Sequence, residues 1–152
     1  MQTLLLAVGK LRPALRTVCD EYLRRLERCD GIAEREIREA SRASTPALRQ
    51  REETARLLDA LPPRAITVVL DRGGTGWSSE MLARQLDRWR TGAQPVALVI
   101  GGAYGMEAAF VAGATMRWSL GPLTLPHELA RVIVLEQWYR AWTILRGEPY
   151  HK

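Results

Sequence analysis

Three stretches of this chain have the residue types and spacing to do chemistry. The first is Trp118–His127, read Trp-Ser-Leu-Gly-Pro-Leu-Thr-Leu-Pro-His: an apolar run broken by Gly121, Pro122 and Pro126. Proline offers no N–H to a sheet ladder, and the breakers fall too close together for a helix. The main chain across Leu120, Gly121, Pro122, Leu123, Thr124 and Leu125 must therefore find partners outside regular structure. Free N–H and C=O groups in an apolar setting suit the edge of a flat heterocycle such as adenine. The alternative is a tight strand-to-helix connection packed on the core.

The second stretch is Gly101-Gly102-Ala103-Tyr104-Gly105, directly after an aliphatic run, and the third is Leu70-Asp71-Arg72-Gly73-Gly74-Thr75-Gly76. Adjacent glycines let a backbone approach a ligand closely, although a tight turn needs them equally. The spacing lacks Gly-x-Gly-x-x-Gly, and no Gly-Lys-Ser/Thr is present, which argues against a dinucleotide fingerprint and excludes a P-loop. Two histidines and two cysteines without Cys-x-x-Cys spacing make a metal site an unpromising reading.

The elements that position these loops follow from periodicity. Thr3–Val8, Ala65–Leu70 and Val96–Ile100 read as buried strands, with Val96–Ile100 central in the sheet, and Met116–Leu120 as one more short strand. Helical spacing runs from Ala14 to Arg28 after Pro13. A second helix starts at Ser44-Thr45-Pro46 and ends before Pro62-Pro63. A third is capped by Ser78 or Ser79 and closes near Gly92 as a left-handed cap. A short helix covers Met106–Gly113. Ile32–Ala40 fits helix by propensity or strand by its flanking turns, and Asp71–Gly76 reads as a flexible loop. The last helix, Glu128–Arg146, is apolar almost all round, with Trp138 and Trp142 suggesting a subunit interface. Strands alternating with helices give a single α/β domain over residues 1–152, a mainly parallel sheet with helices on both faces. In such sheets ligands bind at the carboxyl ends of the strands, where all three loops lie.

Composition sets the class. The chain has 152 residues, 47% hydrophobic and 26% charged, enough for one domain with a real core. Lys and Arg total 22 against 17 Asp and Glu, and Lys10 and Lys152 are the only lysines. Arginine's forked donors suit phosphate, and Arg24, Arg25 and Arg28 are candidates for it. The cysteine usage fits a reduced compartment, and the run Leu4–Val8 is too short for a membrane span, so cytoplasm is expected.

Taken together, Val-Ile-Gly-Gly-Ala-Tyr-Gly at 99–105, Ser-Leu-Gly-Pro-Leu-Thr-Leu-Pro-His-Glu-Leu-Ala-Arg-Val at 119–132, Leu-Glu-Gln-Trp-Tyr-Arg-Ala-Trp at 135–142 and the terminal Pro-Tyr-His-Lys resemble one family. It is the SPOUT-superfamily methyltransferases that modify a pseudouridine of 23S ribosomal RNA. The resemblance implies a C-terminal trefoil knot, one of the exceptions to unknotted folds. It implies S-adenosyl-L-methionine held against Leu70, Gly101, Gly102 and Leu120–Leu125. It also implies a homodimer and N3-methylpseudouridine as product, made on the large subunit or the 70S ribosome. The imide proton must leave N3 before it attacks, so a cation or proton acceptor is needed. The candidates are His127, Arg131, Arg140, Tyr150 and His151. Tyr104 stands where relatives carry a small polar or acidic residue, which puts any role of that side chain in doubt. A methyltransferase of the same fold acting on transfer RNA, or a non-catalytic ribosome-binding factor, are the alternatives.

Overall fold

A computed structural model describes residues 2–29 and 31–152. The elements run β1 (Thr3–Val8), α1 (Pro13–Leu26), β2 (Ala33–Ile37), α2 (Pro46–Ala60), β3 (Ile66–Gly76), α3 (Ser79–Thr91), β4 (Val96–Ile100), α4 (Ala108–Gly113), β5 (Met116–Ser119) and α5 (His127–Leu145). The strands form one parallel sheet in the order β2-β1-β4-β3-β5, with β4 in the middle. Alternation along β1 sorts the core. Leu5 and Ala7 face a cluster built with α1, α3 and α5, and Leu6 and Val8 face one built with α2 and α4. Both faces are covered, which is why the central strands read as unbroken aliphatic runs.

The caps follow the sequence. Thr45 accepts from the Leu48 N–H and Ser78 from the Met81 N–H. Gly147 (φ +66°) closes α5, and the Glu148 N–H reaches back to the Thr143 carbonyl.

One open reading is settled and three expectations change. Ile32–Ala40 resolves to edge strand β2 over Ala33–Ile37. Its polar composition hides a two-residue alternation in which Glu34 and Glu36 both reach arginines of the helical layer. Asp71–Gly76 is not a loose loop: β3 continues through it, with a bulge between Leu70 and Thr75, and Thr75 and Gly76 pair with Trp118 and Ser119 of β5. A β-carbon on Gly74 would lie 2.5 Å from the Arg117 carbonyl oxygen, so the strands approach there only because no side chain intervenes. Gly92 ends α3 with φ −85° and ψ 154°, an extended rather than left-handed cap. Trp138 and Trp142, expected at a subunit interface, are 0% and 2% exposed within the single chain. Trp138 stacks on Trp89 at 6.0 Å, so these rings belong to the chain's own core.

Candidate active site

The broken run does what its prolines require. β5 ends at Ser119, and the chain then leaves the sheet through Gly121 at φ +115°. Ser119 anchors the exit: its hydroxyl accepts from the Gly121 N–H at 3.1 Å and contacts the Arg72 carbonyl at 3.1 Å. Beyond that point the main-chain N–H groups of Leu123, Thr124 and Leu125 have no hydrogen-bond partner among the described residues. They border a cleft of about 350 Å³ beside the β3 bulge and the carboxyl end of β5.

Six of the residues assigned to a cofactor line this cleft: Leu70, Leu120, Gly121, Leu123, Thr124 and Leu125. Trp118 and Ala130 complete an apolar wall, and Trp118 is held by stacking on Trp77 at 5.4 Å. Pro122 is in the same loop but does not line the cleft. Gly101 and Gly102 are also absent from its lining. A β-carbon on Gly101 would meet Met106 Cγ at 2.9 Å and one on Gly102 would meet Glu53 Oε2 at 2.5 Å, so these glycines serve close packing against α2 and the β4–α4 loop.

The extension of β3 contributes two residues that sequence reasoning passed over. Arg72 Nη1 donates to Thr124 Oγ1 at 3.0 Å, a strap between the two walls, and Arg72 is the cation of the cleft lining. Asp71 pairs with Arg117 at 3.0 Å, and Arg117 also donates to the Gly73 carbonyl, which fixes the bulge. The signal for Arg72 was present, since it follows directly on Leu70 at the end of a strand. Reading Asp71–Gly76 as a loose loop concealed that its side chains have fixed directions.

The five candidate catalytic residues separate into three groups. His127 opens α5 and lies beside the β1–α1 turn, where a β-carbon on Gly9 would be 3.2 Å from its Nε2. Arg131 is 0% exposed; it donates to Glu34 at 3.1 Å, to Glu36 at 2.8 Å and to the Gly9 carbonyl at 2.8 Å. It fastens α5 to the ends of β1 and β2, and its sealed guanidinium does not line the cleft.

Arg140, Tyr150 and His151 form a third group with Glu136. Arg140 makes two bonds to Glu136 Oε1 at 3.0 and 2.6 Å, and the Tyr150 hydroxyl donates to the same oxygen at 3.1 Å. The Tyr150 ring lies 4.8 Å from the Arg140 guanidinium and packs edge-on against Tyr139. Burial, with hydrogen bonding to Tyr22 and the Glu136 charge behind it, pushes the Tyr150 phenol far above its usual range, so it stays a neutral donor. His151 Nε2 meets Glu80 Oε1 at 2.9 Å, and Nδ1 lies 3.5 Å from Arg140. Glu80 is lowered to about 2 by the Ser78 hydroxyl, then by its own main-chain N–H and His151. The tail is therefore pinned on α5 and α3, and none of its contacts lines the cleft.

Comparison with known proteins agrees along the whole chain. The family described as "Predicted SPOUT methyltransferase" matches residues 1–151. The chain is 47% identical over 149 residues to "Ribosomal RNA large subunit methyltransferase H" of Nitratidesulfovibrio vulgaris, covering 97% of this chain and 96% of that protein. It is 41% identical over 155 residues to the protein of the same name from Pseudomonas paraeruginosa, covering both completely. Among solved structures, a probable methyltransferase from Bordetella pertussis aligns with a TM-score of 0.58 at 17% identity, over 92% of this chain and 95% of that one. A probable methylase family protein from Haemophilus influenzae aligns at 0.59 and 9%, over 99% and 70%. At those identities the solved structures speak to the fold alone. With strand order, cleft and full-length identity in agreement, this chain belongs to the SPOUT methyltransferase family.

Proposed function

We propose that this chain transfers a methyl group from S-adenosyl-L-methionine to N3 of a pseudouridine in 23S ribosomal RNA. It acts on the large subunit or the 70S ribosome, in the cytoplasm, as a homodimer, with the cofactor held in the family's trefoil knot. The observation that carries the reading is the Leu120–Leu125 loop. Its unspent main-chain donors at Leu123–Leu125 rim an apolar cleft within the size range of small-molecule sites. That donor set fits a cofactor with a flat adenine and a charged amino-acid end. Full-length identity to proteins named as large-subunit ribosomal RNA methyltransferases supports the target.

When bound, the cofactor supplies an electrophilic methyl on a sulfonium, and in-line displacement asks mainly for alignment and dryness. The chain provides both. Leu70, Trp118, Leu120, Leu123 and Leu125 exclude water, and Arg72 braces the Thr124 side of the loop. Arg72 also brings positive charge to the rim, where an anionic imide would be stabilised. The tail's placement on Glu136 and Glu80, away from its own cleft, supports service to the partner's cleft. Leu129 is 38% exposed, and Val132 and Ile133 are half-buried, leaving an apolar stripe on α5 for the subunit contact. In this arrangement the neutral Tyr150, its hydroxyl fixed on Glu136, positions the base by its ring, and His151 or His127 takes the proton.

The test is mass mapping of 23S RNA from a strain lacking the protein, before and after adding it with cofactor to ribosomes, and the same on isolated transfer RNA. Methylation of transfer RNA alone, or no methylation with no cofactor binding, would overturn the reading. Deleting Tyr150–Lys152 should lower turnover at least a hundredfold while cofactor affinity stays within twofold. Full turnover by the truncated enzyme would move catalysis off the tail.

A further inference from the structure

The first turn of α5 has a cavity on each side. Ala130 lines the cofactor cleft. On the other side, across His127 and Gly9, a trough opens at the carboxyl ends of β1 and β2. It consists of a cavity of about 550 Å³ between Gly9-Lys10 and Glu36–Ser41, and an adjoining one of about 300 Å³ between Arg38–Arg42 and Arg56 of α2. The two share Arg38, Glu39 and Ser41, so they lie side by side along the β2–α2 segment.

The charges in the trough are not balanced. Each acid lining it is already engaged: Glu36 by Arg131 at 2.8 Å, Glu39 by Arg49 at 2.9 Å, and Glu52 by Arg56 at 3.4 Å. Of the four cations, Arg56 is spent on Glu52 and on the Arg38 carbonyl, and the other three are free. Among the described residues, the side chains of Lys10, Arg38 and Arg42 have no hydrogen bond or ion pair, and all three are exposed. Compare the end of α1, where Arg24, Arg25 and Arg28 were expected to meet phosphate. Arg25 is paired to Glu21 there and lies 5.5 Å over the Tyr22 ring. That end is also remote. α1 and α5 start together, at the Arg12–Glu128 contact, and finish together, at the Arg146–Arg28 contact. The length of 19-residue α5, about 28 Å, therefore separates those arginines from the cofactor side.

We propose that the RNA strand lies in the β1–β2 trough, with its phosphates on Lys10, Arg38 and Arg42, and enters the cofactor cleft over the first turn of α5 beside His127. The proposal rests on RNA being the substrate. Phosphate contacts carry position rather than sequence. Three exposed, unpaired cations beside neutralised acids supply that kind of contact, and the cavities they line sit on the far side of the first turn of α5 from the cofactor cleft.

The test uses the full-length enzyme with purified 70S ribosomes, cofactor calorimetry and a salt series. Lys10→Gln, Arg38→Gln and Arg42→Gln together should raise the ribosome KM at least tenfold, with kcat and cofactor affinity unchanged. The slope of log affinity against log salt should shrink by roughly 2 to 3, since each of the three lost phosphate contacts contributes roughly 0.7–0.9. The charge-matched control Arg64→Gln, Arg84→Gln, Arg88→Gln removes three other exposed arginines and should leave KM near wild type. A trough variant with wild-type KM and slope, in a preparation whose wild type methylates ribosomes, overturns the trough. An equal loss in the control overturns it as well, because net charge alone would then explain the effect. A wild type that binds cofactor but methylates no ribosome instead defeats the functional reading on which the trough rests.

Discussion

Two loops leave the sheet as glycine-rich or proline-broken turns, and the sequence offers both to the cofactor, yet they are built in opposite ways. The Gly101–Gly105 loop is closed. Gly102 and Gly105 bridge each other, the Gly105 N–H donating to the Gly102 carbonyl at 3.0 Å. α2 then clamps it: Gln50 donates to the Tyr104 carbonyl, Arg49 lies over the Tyr104 ring, and Thr54 accepts from the Glu107 N–H. Gly102 rests on Glu53, a carboxylate with 0% exposure. The Leu120–Leu125 loop is open, tied at Ser119 and strapped by Arg72, with three successive N–H groups unspent and Leu123 75% exposed. What separates a packing turn from a binding turn is therefore not glycine content but whether the main-chain donors are already used. Tyr104 has a role here as the surface on which Arg49 sits, 5.5 Å from the ring centre.

Breaking the clamp should have the largest effect. Arg49 donates to Glu53 Oε1 at 2.9 Å, beside the Ala40 N–H that donates to the same oxygen, and also pairs with Glu39. Arg49→Ala leaves a buried carboxylate without its counter-charge, an error that typically costs about 3 kcal/mol or more. Denaturant unfolding should register that loss, and cofactor affinity of the remaining folded protein should change little. A variant that keeps its stability would mean that the closed loop does not depend on α2.

The open loop should respond in the reverse sense. Leu123 is already in solvent, so Leu123→Asp removes nothing from the core. It does remove apolar cover from a bound ligand and places a charge on the rim of the cleft. Cofactor affinity should fall about tenfold, near 1.4 kcal/mol, while the melting temperature stays within about 2 °C. A stability loss with intact affinity would show that the loop packs rather than binds.

How legible this contrast was in the sequence depends on the signal each part carries. Aliphatic runs and proline stops gave the central strands, α2, α3 and α5, because burial on both sheet faces leaves a dense pattern. The need for the Leu120–Leu125 main chain to bond elsewhere was legible from Pro122 and Pro126 alone. The clamp was less so, although Glu53 falls on the stripe of Leu57 and Ala60, four and seven residues on, and an acid on a core stripe signals a buried polar contact. β2 stayed open between helix and strand because an edge strand that serves as a carboxylate ladder for Arg16 and Arg131 has helix-forming composition. The burial of Trp138 and Trp142 was hidden by the near-uniform apolarity of α5. A helix with no polar face does not say which neighbour covers it, and α3 and the sheet do.

The tail gives the smallest and finest test of what tethered and open mean in this molecule. Glu80 is held at about 2, well below the ordinary carboxylate value of 4.5, first by the Ser78 hydroxyl and then by its own N–H and by His151. A depressed acid contributes its stabilisation fully above its unfolded value and loses it as pH falls toward the folded one. For Glu80 that window runs from about 4.5 down to about 2. A carboxylate accepts a hydrogen bond from a histidine ring N–H whether or not the ring is charged. The 2.9 Å contact to His151 should therefore persist down to about pH 5 and loosen in more acid solution, as Glu80 takes up its proton. Glu80→Gln should loosen it throughout, since the amide is a weaker acceptor and loses the charge. Backbone order of His151 measured by NMR across that range reads both effects. Tail order that instead falls steadily between pH 5 and 8, or that is unchanged in Glu80→Gln, would show that Tyr150 on Glu136 and Arg140 carries the tether alone.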